Sequence, residues 1–320
     1  MRPQKLQELK ERNLLSPDQY SRLEPIYSRK IVSLFYELRI MLYLGVTLFA
    51  TGIGILIYKN IGDLGHLALI TVLFILTAWC FHYALKRAPE YTNGNAVSPT
   101  PYFDYVVLLG CLLFISVLGY LQFQYELFDN GMGLTTLVTA AFFFFAAYRF
   151  DHLGVLSLAI TALASFWSIS ISPQKWHSGN FFSESNLHVT AIIFGAVISA
   201  AALFLDKKGI KKHFTFTYLN FCSLIFLVGA LAGLFMDDKF YALYLLLLYA
   251  GCALLGYHAH QTKSFLFILY VFVFAYIGTT YLLADVIDYA PGLWFMYLLA
   301  SCGGFIVFII RYKSFFKRTA

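Results

Sequence analysis

Charged residues are scarce in this sequence, at 12% against 60% hydrophobic. A soluble domain is about half apolar and a quarter charged. This balance, with a mean hydropathy of +0.70, excludes a chain that hides its apolar surface in a water-soluble core and reads as a membrane protein. Proline is missing from the interior of every long apolar run: Pro3, Pro17, Pro25, Pro89, Pro99, Pro101, Pro173 and Pro291 all lie between runs or at their ends. That removes the proline signal for the broken helices many transporters use. The central thirds of the runs hold no Asp, Glu, Lys, Arg or His, which argues against proton or sodium coupling through a buried carboxylate. The five cysteines, Cys80, Cys111, Cys222, Cys252 and Cys302, are odd in number, form no CxxC and each sit inside an apolar run. They read as small buried hydrophobes rather than disulfide partners or metal ligands. The sequence holds no glycine-rich phosphate loop, no HExxH and no Ser or Cys nucleophile beside a base. No enzyme activity, cofactor, metal or nucleic-acid partner is expected.

What is present is a series of ten continuous apolar runs near the 20 residues that a crossing helix needs. They fall at 40–58, 64–85, 102–123, 131–148, 153–171, 187–205, 214–235, 240–258, 264–284 and 291–310. Barrel strands would be shorter and alternating. The expected fold class is therefore all-α: a polytopic membrane protein of about ten transmembrane helices, with a short cytoplasmic N-terminal helical segment. The divisions expected are that segment at 1–38, a transmembrane domain at 39–312 and a basic tail at 313–320. In the N-terminal segment, Leu15-Ser16-Pro17-Asp18-Gln19-Tyr20 has the form of a helix start, with Ser16 as the cap. Farther on, Ile26–Arg39 reads as a helix lying on the membrane surface.

The orientation rests on the basic loop Asp206-Lys207-Lys208-Gly209-Ile210-Lys211-Lys212-His213. Lys and Arg collect on the cytoplasmic side. With this loop inside and the spans alternating, 20 of the 23 Lys and Arg fall inside, while the 17 acids split nine and eight. Both termini are then cytoplasmic.

Two stretches carry a resemblance. One joins the Asn-Leu-Leu-Ser-Pro-Asp-Gln-Tyr start to a first span ending Gly52-Ile53-Gly54-Ile55-Leu56-Ile57-Tyr58-Lys59-Asn60. The other runs from Asp104-Tyr105 and Leu109-Gly110 through Gln122-Phe123-Gln124-Tyr125 to Tyr148-Arg149-Phe150. Together they resemble the prokaryotic membrane proteins grouped as domain of unknown function 2157, over about the first half of the chain. The resemblance implies a bacterial inner-membrane protein with a cytoplasmic N-terminal segment. It implies no activity, cofactor or catalytic residue.

Polar side chains gather at the expected inner ends of the spans: Glu37, Arg39, His82, Asp104, Arg149 and Asp151. These are the candidate inner polar cluster, a vestibule if they converge. Against that, Asp104 sits in a helix's first turn, where the dipole favours a carboxylate, while Arg149 closes one helix and Asp151 suits the cap of the next. His258-Ala259-His260 is a poor metal motif with no further ligand near in sequence. Gly229 and Gly233 form a GxxxG motif expected to mark close helix packing, and Gly195/Ser199 and Ala300/Gly304 share its spacing. Asn220, the most conspicuous polar residue of its span, reads as an interhelical hydrogen-bond partner. Two function classes remain. The first is a carrier or permease for an uncharged or lipid-like solute. The second is a non-catalytic scaffold that docks through its N-terminal helices. The partners expected are the lipid bilayer and either another protein or a second copy.

Overall fold

The computed structural model of the chain describes residues 35–60, 66–96, 98–128, 132–171, 187–236, 238–287 and 291–315. The helix start at Ser16, most of the 26–39 stretch and the 172–186 loop lie outside them. Among the described residues the chain is all-helical. The helices are α1 (Phe35–Asn60), α2 (His66–Arg87), α3 (Phe103–Tyr125), α4 (Met132–Phe150), α5 (Leu153–Ile171), α6 (Leu187–Lys207), α7 (Phe214–Met236), α8 (Tyr241–Thr262), α9 (Phe265–Ile287) and α10 (Pro291–Phe315). Each of the ten apolar runs becomes one helix. Eight are long and apolar enough to cross a membrane, and the apolar parts of α5 and α10, Leu153–Ser168 and Trp294–Phe308, are shorter.

The chain forms two compact units, Met1–Leu69 and Ile70–Ala320. In the first, α1 runs unbroken through Glu37 and Arg39. The surface helix expected to end at Arg39 is, over 35–39, the beginning of a crossing-length helix. The reason is local: no proline interrupts Phe35–Asn60, and its apolar residues continue without a polar break. Arg39 Nη2 donates to Tyr43 Oη one turn along, at 3.5 Å.

The second unit is built from antiparallel hairpins whose turns are set by helix endings. At the end of α4 the amide of His152 bonds the Ala147 carbonyl at 3.1 Å, with Asp151 at φ 57°. This is the six-to-one closure of a Schellman ending, and Asp151 holds the left-handed position usually given to glycine. The same closure ends α6, with Ile210 bonding Leu205 and Gly209 at φ 75°. It also ends α8, with Ser264 bonding Ala259 and Lys263 at φ 53°. In α4/α5 and α8/α9 only two residues separate the paired helices, so they are forced to be antiparallel neighbours.

Phenylalanines fill the α2–α4 interface. Phe114 and Phe142 stack at 4.0 Å between ring centres, and Phe81 meets Phe142 edge-on at 5.1 Å. A second core joins α6 to α9 through Ile192, Leu227, Leu234, Leu248, Cys252 and Phe267. Cys80, Cys111, Cys222 and Cys252 are buried and unbridged, and Cys302 is exposed.

Small residues set the closest helix approaches. A methyl on Gly195 would come within 2.6 Å of the Cys222 carbonyl oxygen, so α6 lies directly against the α7 backbone. On Gly229 it would meet Ala191 at 2.9 Å and the His188 carbonyl at 3.0 Å, and on Gly233 the Tyr244 ring at 2.5 Å. The GxxxG pair thus serves two neighbours, α6 and α8. A methyl on Gly304 would meet nothing within 4 Å, so among the described residues the Ala300/Gly304 spacing marks no close packing. Asn220 Oδ1 accepts from Tyr270 Oη of α9 at 2.8 Å, an interhelical bond that satisfies a polar group in an apolar setting.

Candidate functional site

At one end of the second unit three loops meet around a single carboxylate. Asp151, between α4 and α5, receives Lys211 Nζ at 3.0 Å and His213 Nε2 at 2.6 Å on Oδ1. Its Oδ2 accepts the Ala96 amide at 2.5 Å. The Asp151 and Lys211 side chains are 3% and 2% exposed, and His213 is 22% exposed. Lys and Asp are almost never this buried unless paired, and here each charge has its partner.

Residues 88–96 lie across this pair as a strap held mostly by its backbone. Pro89 and Gly94 offer carbonyls to Arg149 Nη1 (2.9 Å) and Lys211 Nζ (3.3 Å), and Asn93 accepts the Lys211 amide (2.9 Å). Lys211 Nζ also lies 5.2 Å from the Tyr91 ring centre. Just past the strap, Ser98 Oγ donates to Asp104 Oδ1 at 2.7 Å. Both partners of the ion pair sit at positive φ, Asp151 at 57° and Lys211 at 46°. Asp tolerates this conformation through local hydrogen bonding, whereas for Lys it is a strained choice. The strain at Lys211 is offset by what the turn achieves: it aims amide and ammonium into the strap together.

His152 closes the arrangement. Its Nδ1 accepts the Val155 amide at 3.1 Å, so it caps α5. That nitrogen is therefore bare, and Nε2 carries the proton and donates to the Asp104 carbonyl at 3.0 Å. The expectation that Asp151 caps α5 is thus corrected. Asp151 is the closing residue of α4 with its carboxylate turned to Lys211, and the next residue does the capping. His152→Ala should cost about 1–2 kcal/mol, as for other lost caps, read as a lower unfolding midpoint in detergent. His152→Asn, which can still cap, should recover most of it.

Burial by itself pushes the Asp151 carboxyl up. The Ala96 amide, Lys211 and His213 together outweigh it, and the group is held below its ordinary value. A carboxyl lowered on folding contributes stability that is complete above the unfolded value, about 3.9. That contribution is lost as pH falls through the lower folded value. The stability difference between wild type and Asp151→Asn should therefore stay level above about pH 4 and shrink below it. A difference that decays near neutral pH would show a raised carboxyl instead.

Of the sequence candidates, the structure brings Asp104, Arg149 and Asp151 into one bonded system. His82 is exposed on α2 and takes no part in it. Glu37 and Arg39 belong to α1 in the first unit. Lys211, His213 and His152 were not among the candidates. The one available signal was Gly209: a helix-closing glycine turns the chain back, and the apolar Ile210 and Phe214 around Lys211 draw it inward. Among the described residues no group of His, Cys, Asp and Glu is placed to hold a metal ion.

Away from the knot, a cleft of ≈ 290 Å³ lies between α7, α9 and α10. Its wall is aromatic, with Phe235, Tyr276, Tyr281 and Trp294. Two of its hydroxyls are paired: Thr280 Oγ1 with Tyr297 Oη at 2.6 Å, and Tyr276 Oη donating to Ser301 Oγ at 3.1 Å.

The fold is that of a multi-helix membrane protein, and the site is a fully paired polar knot at one end of it. The family model described as predicted membrane protein (DUF2157) matches residues 7–130 of this chain, less than half its length. No curated protein and no solved structure matches the chain. The match takes in the strap and Asp104 but stops short of Arg149, Asp151, Lys211 and His213, and of the Tyr148-Arg149-Phe150 stretch of the resemblance.

Proposed function

We propose that the chain is a non-enzymatic, ten-span protein of the bacterial inner membrane, both termini cytoplasmic, that acts as a scaffold and docks a partner through its N-terminal residues. The observation that carries this reading is the knot. A carrier must part its helices at the cytoplasmic face once per cycle. Here the loops after α2, α4 and α6 are joined by a buried ion pair and by backbone bonds to Asn93, Gly94 and Ala96. Opening them would break the ion pair and the backbone bonds of the strap together. The proposed side of the membrane follows from the lysines: Lys207, Lys208 and Lys212 are exposed on the same loop, as positive-inside placement requires.

A carrier of a lipid-like solute keeps one observation in its favour, the aromatic cleft between α7, α9 and α10. Hydrogen exchange in nanodiscs separates the two. The scaffold reading expects the Ala96 and Lys211 amides to stay protected whatever lipid or solute is added, and a chain lacking residues 1–34 to lose its partner. Solute-dependent exchange at those amides, with uptake into proteoliposomes, would replace it by the carrier. Orientation is checked by cysteine labelling: position 208 should be shielded from outside reagents and position 178 reachable. The reverse pattern would overturn the topology.

A further inference from the structure

We infer that Arg87 and Lys208, each held over an aromatic ring of its own helix, bind the phosphodiester headgroups of anionic lipids at the membrane face where the knot lies. The inference stands on a repeated geometry. Arg87 closes α2, with its Cζ 4.7 Å from the centre of the Tyr83 ring and Nη1 donating to Tyr83 Oη at 3.2 Å. Tyr83 Oη in turn lies 3.4 Å from Thr100 Oγ1, so the ring is fixed from the strap side. Lys208 follows the last residue of α6, with Nζ 4.4 Å from the Phe204 ring centre, and both residues are exposed. In α1, by itself, Arg39 meets Tyr43 in the same way, at 5.7 Å.

In all three pairs the ring lies four residues toward the middle of the helix. A cation at a span's end ordinarily reaches outward to water. These reach back, toward a ring about 6 Å deeper at 1.5 Å per residue. The charge is thereby held at the level of the headgroups instead of in bulk solvent. The ring attracts the cation and leaves its outer side open. Among the described residues neither Arg87 nor Lys208 pairs with a carboxylate, in contrast to Lys211 in the knot. The complementary charge at that depth is lipid phosphate, which the guanidinium fork matches with two parallel bonds. The inference needs α2 and α6 to cross the bilayer, as their length and composition allow, and is independent of which end faces the cytoplasm.

The test uses the full chain in nanodiscs of phosphatidylcholine, with or without phosphatidylglycerol, where both leaflets are alike. Phosphatidylglycerol should raise the unfolding midpoint of the wild type and remain bound through native mass spectrometry. The double variant Arg87→Gln/Lys208→Gln should lose at least half of that rise and the retained lipid. Phe204→Leu, which keeps the charge and removes the ring, should lose a smaller part. Lys212→Gln, an exposed loop lysine with no ring beneath it among the described residues, should keep the whole rise. An equal loss in Lys212→Gln would reduce the effect to general surface charge and overturn the inference. A double variant that keeps the full rise would also overturn it, and would leave an acidic protein segment as the ligand for these cations. Since the leaflets are identical, a wrong topology shows only in the cysteine labelling.

Discussion

In detergent, Asp151→Asn is expected to lower unfolding stability by about 3–5 kcal/mol, the largest effect of any single change in the described loops. The loop position itself should survive the change, because Asn, like Asp, accepts the left-handed conformation found at φ 57°. What is lost is the charge that neutralises a Lys211 side chain only 2% exposed. The Ala96 amide and His213 Nε2 lose an ionic acceptor at the same time. Hydrogen exchange should then rise across 88–96 while the α8 and α9 amides stay protected. The double change Asp151→Asn/Lys211→Met removes both charges, keeps a residue that accepts the left-handed position and should recover most of the stability, since replacing a whole buried pair is often neutral. A single-variant cost below about 1 kcal/mol, the size of a surface ion pair, would mean that water reaches the pair.

The second large effect is expected at Gly195. An alanine methyl there would sit 2.6 Å from the Cys222 carbonyl oxygen, 2.7 Å from Phe226 Cβ and 2.9 Å from the Phe226 amide nitrogen. Two of those atoms are helix backbone and cannot rotate aside, so α6 and α7 must move apart. Overpacking of this kind costs about 1–3 kcal/mol. Gly229→Leu and Gly233→Leu should cost at least as much, the latter because the Tyr244 ring it meets is tied to His188 Nε2 at 2.7 Å. Gly304→Ala is the control. With nothing within 4 Å, it should be neutral or gain a few tenths of a kcal/mol from helix propensity. Equal midpoints for Gly195→Ala and Gly304→Ala would show that the α6–α7 contact is looser than its geometry.

The helices were legible because apolar length is a one-dimensional property. A run of about 20 residues announces itself whatever it packs against, and all ten runs became helices. The ends were less legible. The charged residues Glu37 and Arg39 suggested a boundary, yet polar residues near the start of an uninterrupted apolar helix do not break it. The site was half legible. Arg149 and Asp151 drew notice as charges at a helix junction, but what they bind lies 60 residues away in either direction: Pro89 on one side, Lys211 and His213 on the other. Lys211 was hidden by its company. Four lysines in six residues read as a solvated charge run, and only the place of Lys211 between Gly209 and the apolar Phe214 separates the one that is buried from the three that are exposed. Asp151 and His152 are both plausible caps by residue type. The backbone decides between them, because the closing turn of α4 leaves Asp151 outside the new helix and His152 at its head.

The strap also has a consequence for biogenesis. During synthesis and insertion residues 88–96 and Asp151 emerge long before Lys211, which bonds Gly94 across 117 positions. Until the α6–α7 hairpin is in place, the Asp151 carboxylate lacks its ammonium and the strap lacks two of its anchors. The N-terminal half of the chain must therefore wait, inserted but unfastened, for the other half to arrive. A chain released before Lys211 would present quality-control proteases with a loose strap. The α6–α7 loop thus supplies the last of the bonds that fasten the α2–α5 half.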